Sequence, residues 1–118
     1  MQTFQPLEVD PTGKPPHEPG AKLDQGKIYA DLVLGDFASA LLEVCKVGTF
    51  GAVKYSKGGW LDVPNAIDRY QDAMMRHWLS AKSGELRCPD SGELHTAHFT
   101  WNALAVLQLQ LKGGVVND

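Results

Sequence analysis

The sequence predicts an all-α fold, a small helical bundle with three main helices at about 36–47, 65–83 and 93–111. Three observations carry that expectation. Apolar residues recur at spacings of three and four in three separate stretches, the period of a helix with one buried face. Five of the seven prolines (Pro6, Pro11, Pro15, Pro16 and Pro19) fall in the first 20 residues, so the rest of the chain carries few breakers of that kind. Hydrophobic residues make up 43% and charged residues 21% of 118 residues, which suits one packed domain rather than two.

Taken in order, residues 1–26 are expected to form an extended arm, because proline interleaved with Gly13 and Gly20 cannot build a helix or a central strand. The arm is either a solvated tail or a strap across the domain or a neighbouring subunit. In KIYADLVL at 27–34, Ile28, Ala30, Leu32 and Leu34 alternate as in a short strand, although one strand would lack a partner. Asp36 suits the N-cap of the first helix, FASALLEVCKV, in which Phe37, Leu41 and Val44 share a face and Cys45 reads as core filler. Gly48 and Gly51 are expected to interrupt it, leaving a further short helix near 49–56 before the loop KGGW and Pro64. The second helix, 65–83, has Asn65 as cap, Gly84 beyond its end, and Ile67, Tyr70, Met74 and Trp78 as its apolar stripe. Asp72 and Arg76 along it are spaced for a helix ion pair. A turn through Cys88-Pro89-Asp90-Ser91-Gly92 leads to the third helix, with Asp90 and Glu93 spaced as a capping box. Residues 27–112 then form a single helical domain and 113–118 a tail.

Composition also excludes function classes. A net charge of −3 does not supply the broad basic surface that long nucleic acid requires. No apolar run approaches the roughly 20 residues of a membrane span, and MQTFQPLEVD lacks the parts of a signal peptide, so a cytoplasmic, membrane-free protein is expected. Cys45 and Cys88 have neither paired metal-ligand spacing nor the density of a disulfide framework, and both read as free thiols. GxxxxGK[ST], GxGxxG and GxSxG motifs do not occur.

Chemistry concentrates on the third helix. His95, His98 and Asn102 stand three and four residues apart and therefore share a face. Two imidazoles one turn apart can ligate zinc, manganese or a similar ion, can donate to phosphate when protonated, or can simply hydrogen-bond between helices. His77 lies near the stripe of Tyr70 and Met74 and is expected within reach of His95. Glu43, flanked by apolar neighbours in LLEVCKV, is the corresponding candidate on the first helix. Glu85 and Asp90 flank the turn and offer the hard oxygen ligands that magnesium prefers. Lys54, Tyr55, Lys57 and Trp60 combine cations with aromatic faces, suited to phosphate and to a stacked base.

Three segments in order, LLEVCKVGTFGAVKYSKGGW, RYQDAMMRHWLSAKSGE and DSGELHTAHFTWNALAVL, resemble the phage and prophage family of dATP/dGTP diphosphohydrolase N-terminal domains, over about residues 20–111. The resemblance implies hydrolysis of a purine deoxynucleoside triphosphate to monophosphate and pyrophosphate with Mg²⁺ or Mn²⁺, and a distant kinship with MazG-like all-α nucleotide pyrophosphatases. On that reading Glu43, His77 and His98 are catalytic, and Glu43, His77, Asp90, His95 and His98 are metal candidates. Lys54 and Arg76, with Tyr55, would hold phosphate, and Trp60 or Asn102 the base or sugar. MazG-like enzymes present EExxE and ExxD clusters where this chain offers Glu43 and an HxxH pair, so a non-catalytic, nucleotide-sequestering phage protein stands as the alternative. The expected partners are a small-molecule nucleotide and further copies of the chain in a homo-oligomer.

Overall fold

In the computed structural model, which describes residues 8–113, the protein is all-α. The helices are α1 (Ala30–Gly35), α2 (Ala38–Lys54), α3 (Ala66–Lys82) and α4 (His95–Lys112), with a short 3-10 turn at Gly59–Asp62 before α3. Among the described residues there is no strand, only an isolated antiparallel bridge between Arg87 and Leu94. No helix there is long and apolar enough to cross a membrane. The expected tail at 113–118 lies outside the described residues apart from Gly113, as do the first seven residues of the arm.

The chain divides into two compact units, one up to Asp36 and one from Phe37 onward. In the first, residues 8–26 form successive turns without regular structure, organised by the carboxylate of Asp10. Its oxygens accept from the Thr12 and Lys22 backbone N–H groups and from the Thr12 hydroxyl, each at 2.6 Å. Those bonds, the Thr12 hydroxyl first, hold the Asp10 pKa below its ordinary value. The alternation at 27–34 does not make a strand. With no neighbouring strand to pair its backbone, residues 30–35 close their hydrogen bonds locally as α1.

The second unit is built on α4, which packs against both α3 and α2, while the 3-10 turn rests on α3. Three expectations for α2 are corrected here. Asp36 ends α1 instead of capping the next helix, and α2 begins at Ala38 without a side-chain cap. Gly48 and Gly51 do not break it, so the expected helix at 36–47 and the short one at 49–56 are a single rod of 17 residues. A glycine costs a helix about 1 kcal/mol, and here tertiary packing outweighs that cost. A Cβ on Gly48 would stand 3.1 Å from the Trp101 indole nitrogen, so the missing side chain is what lets α4 approach. Cys45 is exposed and Phe37 is 58% exposed, so the core side of α2 is carried by Val44 and Val47.

α3 starts after Asn65, whose φ of 53° is the left-handed conformation that asparagine tolerates. It ends at Ser83 with Gly84 at φ 104°, where the N–H of Gly84 donates to the Ala81 carbonyl and that of Glu85 to the Ser80 carbonyl. The reversal fixes Glu85 immediately beyond the helix. Trp78, expected in the buried stripe, is 41% exposed, while Ile67, Tyr70 and Met74 are half-buried. The expected capping box at Asp90 and Glu93 does not form. α4 begins two residues later, with Leu94 at the cap, and Asp90 pairs with Lys54.

Candidate functional site

Four hydrogen bonds close the segment between α3 and α4 into a loop. The Cys88 N–H donates to the Glu93 carbonyl at 2.8 Å and the Gly92 N–H to the Cys88 carbonyl at 2.8 Å, with Gly92 at φ 77°. The His95 N–H donates to the Leu86 carbonyl at 3.0 Å, and the Arg87 guanidinium to the Gly92 carbonyl at 3.1 Å. This closed loop holds Cys88 and Ser91 beside the first turn of α4.

His95, His98 and Asn102 then present one buried stripe, with exposures of 4%, 8% and 5%. Buried polar groups require partners, and each of these has one. The Asn102 amide donates to the His98 carbonyl at 2.8 Å, and His98 Nε2 bonds the Ser91 hydroxyl at 2.6 Å. The same Ser91 oxygen accepts from the Glu93 N–H at 3.0 Å. His95 Nε2 meets Glu85 Oε1 at 2.6 Å, and because an ionised carboxylate only accepts, that ring nitrogen carries the proton. His95 Nδ1 faces His77 Nδ1 at 2.8 Å. His77 in turn stacks on His98, with centroids 4.2 Å apart and planes 7° from parallel.

His77, His98, Asn102 and Cys88 border a cavity of about 670 Å³, within the roughly 300–1,000 Å³ range of small-molecule sites. Lys54, Tyr55, Trp60, Arg76 and Asp90 line it too. Asp72 and Arg76, expected to pair along α3, both border this space. Sequence reasoning missed Arg69, Tyr70 and Trp101 as lining residues. The last two form with Trp60 a cluster of edge-on aromatic contacts at 5.6 to 6.2 Å between centroids, and the Tyr70 hydroxyl donates to the Trp60 carbonyl at 2.8 Å. Lys54 bonds Asp90, chiefly for which its pKa is raised, and so stays charged.

Glu43 is not brought to this cavity. It pairs with Lys46 at 3.1 Å and borders a second, more open depression with Ser39, Leu42, Thr49 and Glu93. Helical rotation explains the difference, since Val44 and Val47 take the inward positions on α2. His95 belongs to the histidine cluster but not to the cavity lining, being shielded by Glu85 and His77.

Burial is the main cause of depressed histidine pKa values here. That of His77 falls from 6.5 to about 4, with His98, His95 and Arg76 adding to the effect, and that of His98 falls for burial first and His95 second. Both rings are therefore neutral at pH 7. The unfolded chain takes up a proton at His77 near pH 6.5 while the folded one resists until about pH 4, so stability rises with pH across that window and is lost on acidification. The thermal midpoint of chelator-treated protein is expected to fall more steeply between pH 6.5 and 4 than that of His77→Gln. Parallel profiles would exclude this account.

His77, Cys88 and His95 each offer one ligand atom, and these lie within 4.8 Å of one another, a geometry able to hold a metal ion. The donors are two imidazoles and a thiol. They do not fit Mg²⁺, which takes oxygen ligands, and of the carboxylates at the cavity Asp90 is already bonded to Lys54.

No curated protein and no solved structure matches this chain. Residues 17–118 do match a family, described as dATP/dGTP diphosphohydrolase, N-terminal, a match that spans the cavity, the histidine cluster and all the helices among the described residues. The chain therefore belongs to the dATP/dGTP diphosphohydrolase N-terminal domain family, whose name implies a purine deoxynucleotide substrate.

Proposed function

We propose that the protein binds dATP or dGTP in the cavity bordered by α2, α3 and α4 and hydrolyses it to the monophosphate and pyrophosphate. The observation that carries this reading is the lining itself. Three cations, Lys54, Arg69 and Arg76, stand in one cavity with the aromatic side chains Tyr55, Trp60, Tyr70 and Trp101, and with two neutral histidines. A triphosphate needs the first set, a purine the second, and water activation the third.

In this assignment Arg76 and Arg69 hold phosphate oxygens, and Lys54, positioned by Asp90, takes a third contact. Tyr55 and Trp60 meet the base. His98 accepts the proton of the attacking water, its plane fixed by the stack on His77 and by Ser91. Mg²⁺ or Mn²⁺ enters as the counter-ion of the triphosphate, carried in with the substrate. Glu43 has no part in it, since its carboxylate lies at the other depression.

The test is incubation of the pure protein with each of the four dNTPs and Mg²⁺ or Mn²⁺, reading monophosphate and pyrophosphate, with equilibrium binding measured in parallel. Pyrophosphate release confined to dATP and dGTP is the expected result. Tight binding with intact nucleotide recovered would give the sequestering reading instead, which the Lys54–Asp90 bond favours because it occupies a carboxylate that a cation would use. Neither binding nor turnover would refute both.

A further inference from the structure

We propose that His77, Cys88 and His95 form a binding site for a soft divalent transition metal of the zinc class, with Glu85 as the outer carboxylate that orients His95. The site shares His77 with the hydrolysis reading, but its test reads metal retention and does not depend on turnover.

The three ligands come from three different places in the fold. His77 is on α3, Cys88 is in the connecting loop, and His95 is the first residue of α4. Their ligand atoms nevertheless lie within 4.8 Å of one another. Zinc–nitrogen bonds of about 2.0–2.1 Å at tetrahedral angles would separate two nitrogens by roughly 3.3 Å and a nitrogen from a sulfur by roughly 3.6 Å. The two Nδ1 atoms stand 2.8 Å apart, so those rings would part by about half an ångström, and the thiol, within 4.8 Å, would close by at most about 1.2 Å to admit an ion.

The chemistry of the donors selects the ion. A thiolate and two neutral imidazoles suit zinc and its neighbours, whereas none of the three offers the oxygen that Mg²⁺ or Ca²⁺ requires. The outer contact is of the kind metal-bound histidines make. His95 Nε2 donates to Glu85 at 2.6 Å, which leaves its Nδ1 facing His77. Glu85 owes its place to the Gly84 reversal at the end of α3, and the Cys88 backbone to its two loop hydrogen bonds, so the ligand set is organised by the backbone before any ion arrives. A hydrogen bond between the two imidazoles alone would account for His77 and His95, but it gives no reason for a thiol beside them.

Bound metal would join α3, the loop and α4 at one point, which adds its binding free energy to the folded state. Two of the three ligand residues also line the cavity, so the remaining coordination position is open to water or to a cavity ligand.

The experiment uses the full, untagged chain, stripped with a chelator and then dialysed against Zn²⁺ or Mg²⁺. Stoichiometric zinc by elemental analysis and a raised thermal midpoint with Zn²⁺ but not Mg²⁺ are expected. With Co²⁺ a sulfur-to-cobalt charge-transfer absorption should appear, persist in C45S and vanish in C88S, with circular dichroism confirming that C88S is folded. In E85Q the stoichiometry should hold while affinity drops roughly 10- to 100-fold, the usual effect of losing an outer partner. Absence of retained zinc in the wild type, or of the charge-transfer band in wild type and C45S alike, would overturn the site. So would an undiminished band in C88S.

Discussion

His98→Ala is expected to lower kcat for dGTP or dATP hydrolysis by about 10²- to 10⁴-fold, the usual contribution of a positioned general base, with KM changed only a few-fold. The separation follows from the lining of the cavity. The cations that would hold the triphosphate, Lys54, Arg69 and Arg76, come from α2 and α3, whereas His98 comes from α4 and is fixed by Ser91 and by its stack on His77. Losing the imidazole removes the proton acceptor and leaves the phosphate contacts standing. Arg76→Ala should do the reverse, raising KM by more than it lowers kcat, because a phosphate contact of that kind acts in the ground state as well. Burial lowers the pKa of His98, so the ring is unprotonated at pH 7 and activity should decline only as the pH falls below its ordinary value of 6.5. Steady-state kinetics on the two variants decide the matter, with circular dichroism as the check on folding. An unchanged kcat in His98→Ala would move the chemistry elsewhere.

Trp101→Ala should produce the largest loss of stability in the helical unit. The indole fills the space left by Gly48 on α2, and its ring meets Trp60 at 5.6 Å and Tyr70 at 5.7 Å between centroids, so one side chain touches three separate elements. Truncating a large aromatic costs about 3–5 kcal/mol in a core, and the half-buried position of Trp101 argues for the lower figure. In a domain of this size about 3 kcal/mol lowers the thermal midpoint by roughly 12 °C or more. Trp101→Phe, which keeps a ring against its neighbours, should recover much of that. Calorimetry on both variants tests this, and a midpoint within a degree or two of the parent for Trp101→Ala would show the aromatic cluster to be dispensable.

The stripe of His95, His98 and Asn102 was legible because the period of a helix alone puts the three on one face, and all three are buried. Of the cavity residues, Lys54, Tyr55 and Trp60 were legible as cations and aromatic faces gathered in one segment, and Arg76 only by resemblance, since no local spacing joins α2, the loop and α3. Glu43 lies away from the cavity because helical rotation hands the inward positions to Val44 and Val47, which its apolar sequence neighbours do not reveal. Cys88 read as a free thiol without metal-ligand spacing, and it is free. Its partners stand eleven residues before it and seven after, with no CxxC spacing to flag them, and only the loop that closes between α3 and α4 brings the three together. Gly48 read as a breaker because its cost is local, whereas the reason for it, the indole of Trp101, is 53 residues away in sequence.

The buried polar stripe of α4 sets the chain's two demands against each other. Positions 95, 98 and 102 are buried sites where apolar side chains are usual, and a satisfied buried polar pair can often be exchanged at little cost for apolar side chains of similar shape when both partners are replaced. A laboratory selection for heat resistance of the metal-free chain would therefore drift toward hydrophobic residues at these sites and discard the two imidazoles and the amide. Stabilising substitutions that spare function belong on the outer faces of the helices, where Leu42, Val53 and Leu79 meet solvent and nothing in the cavity depends on them.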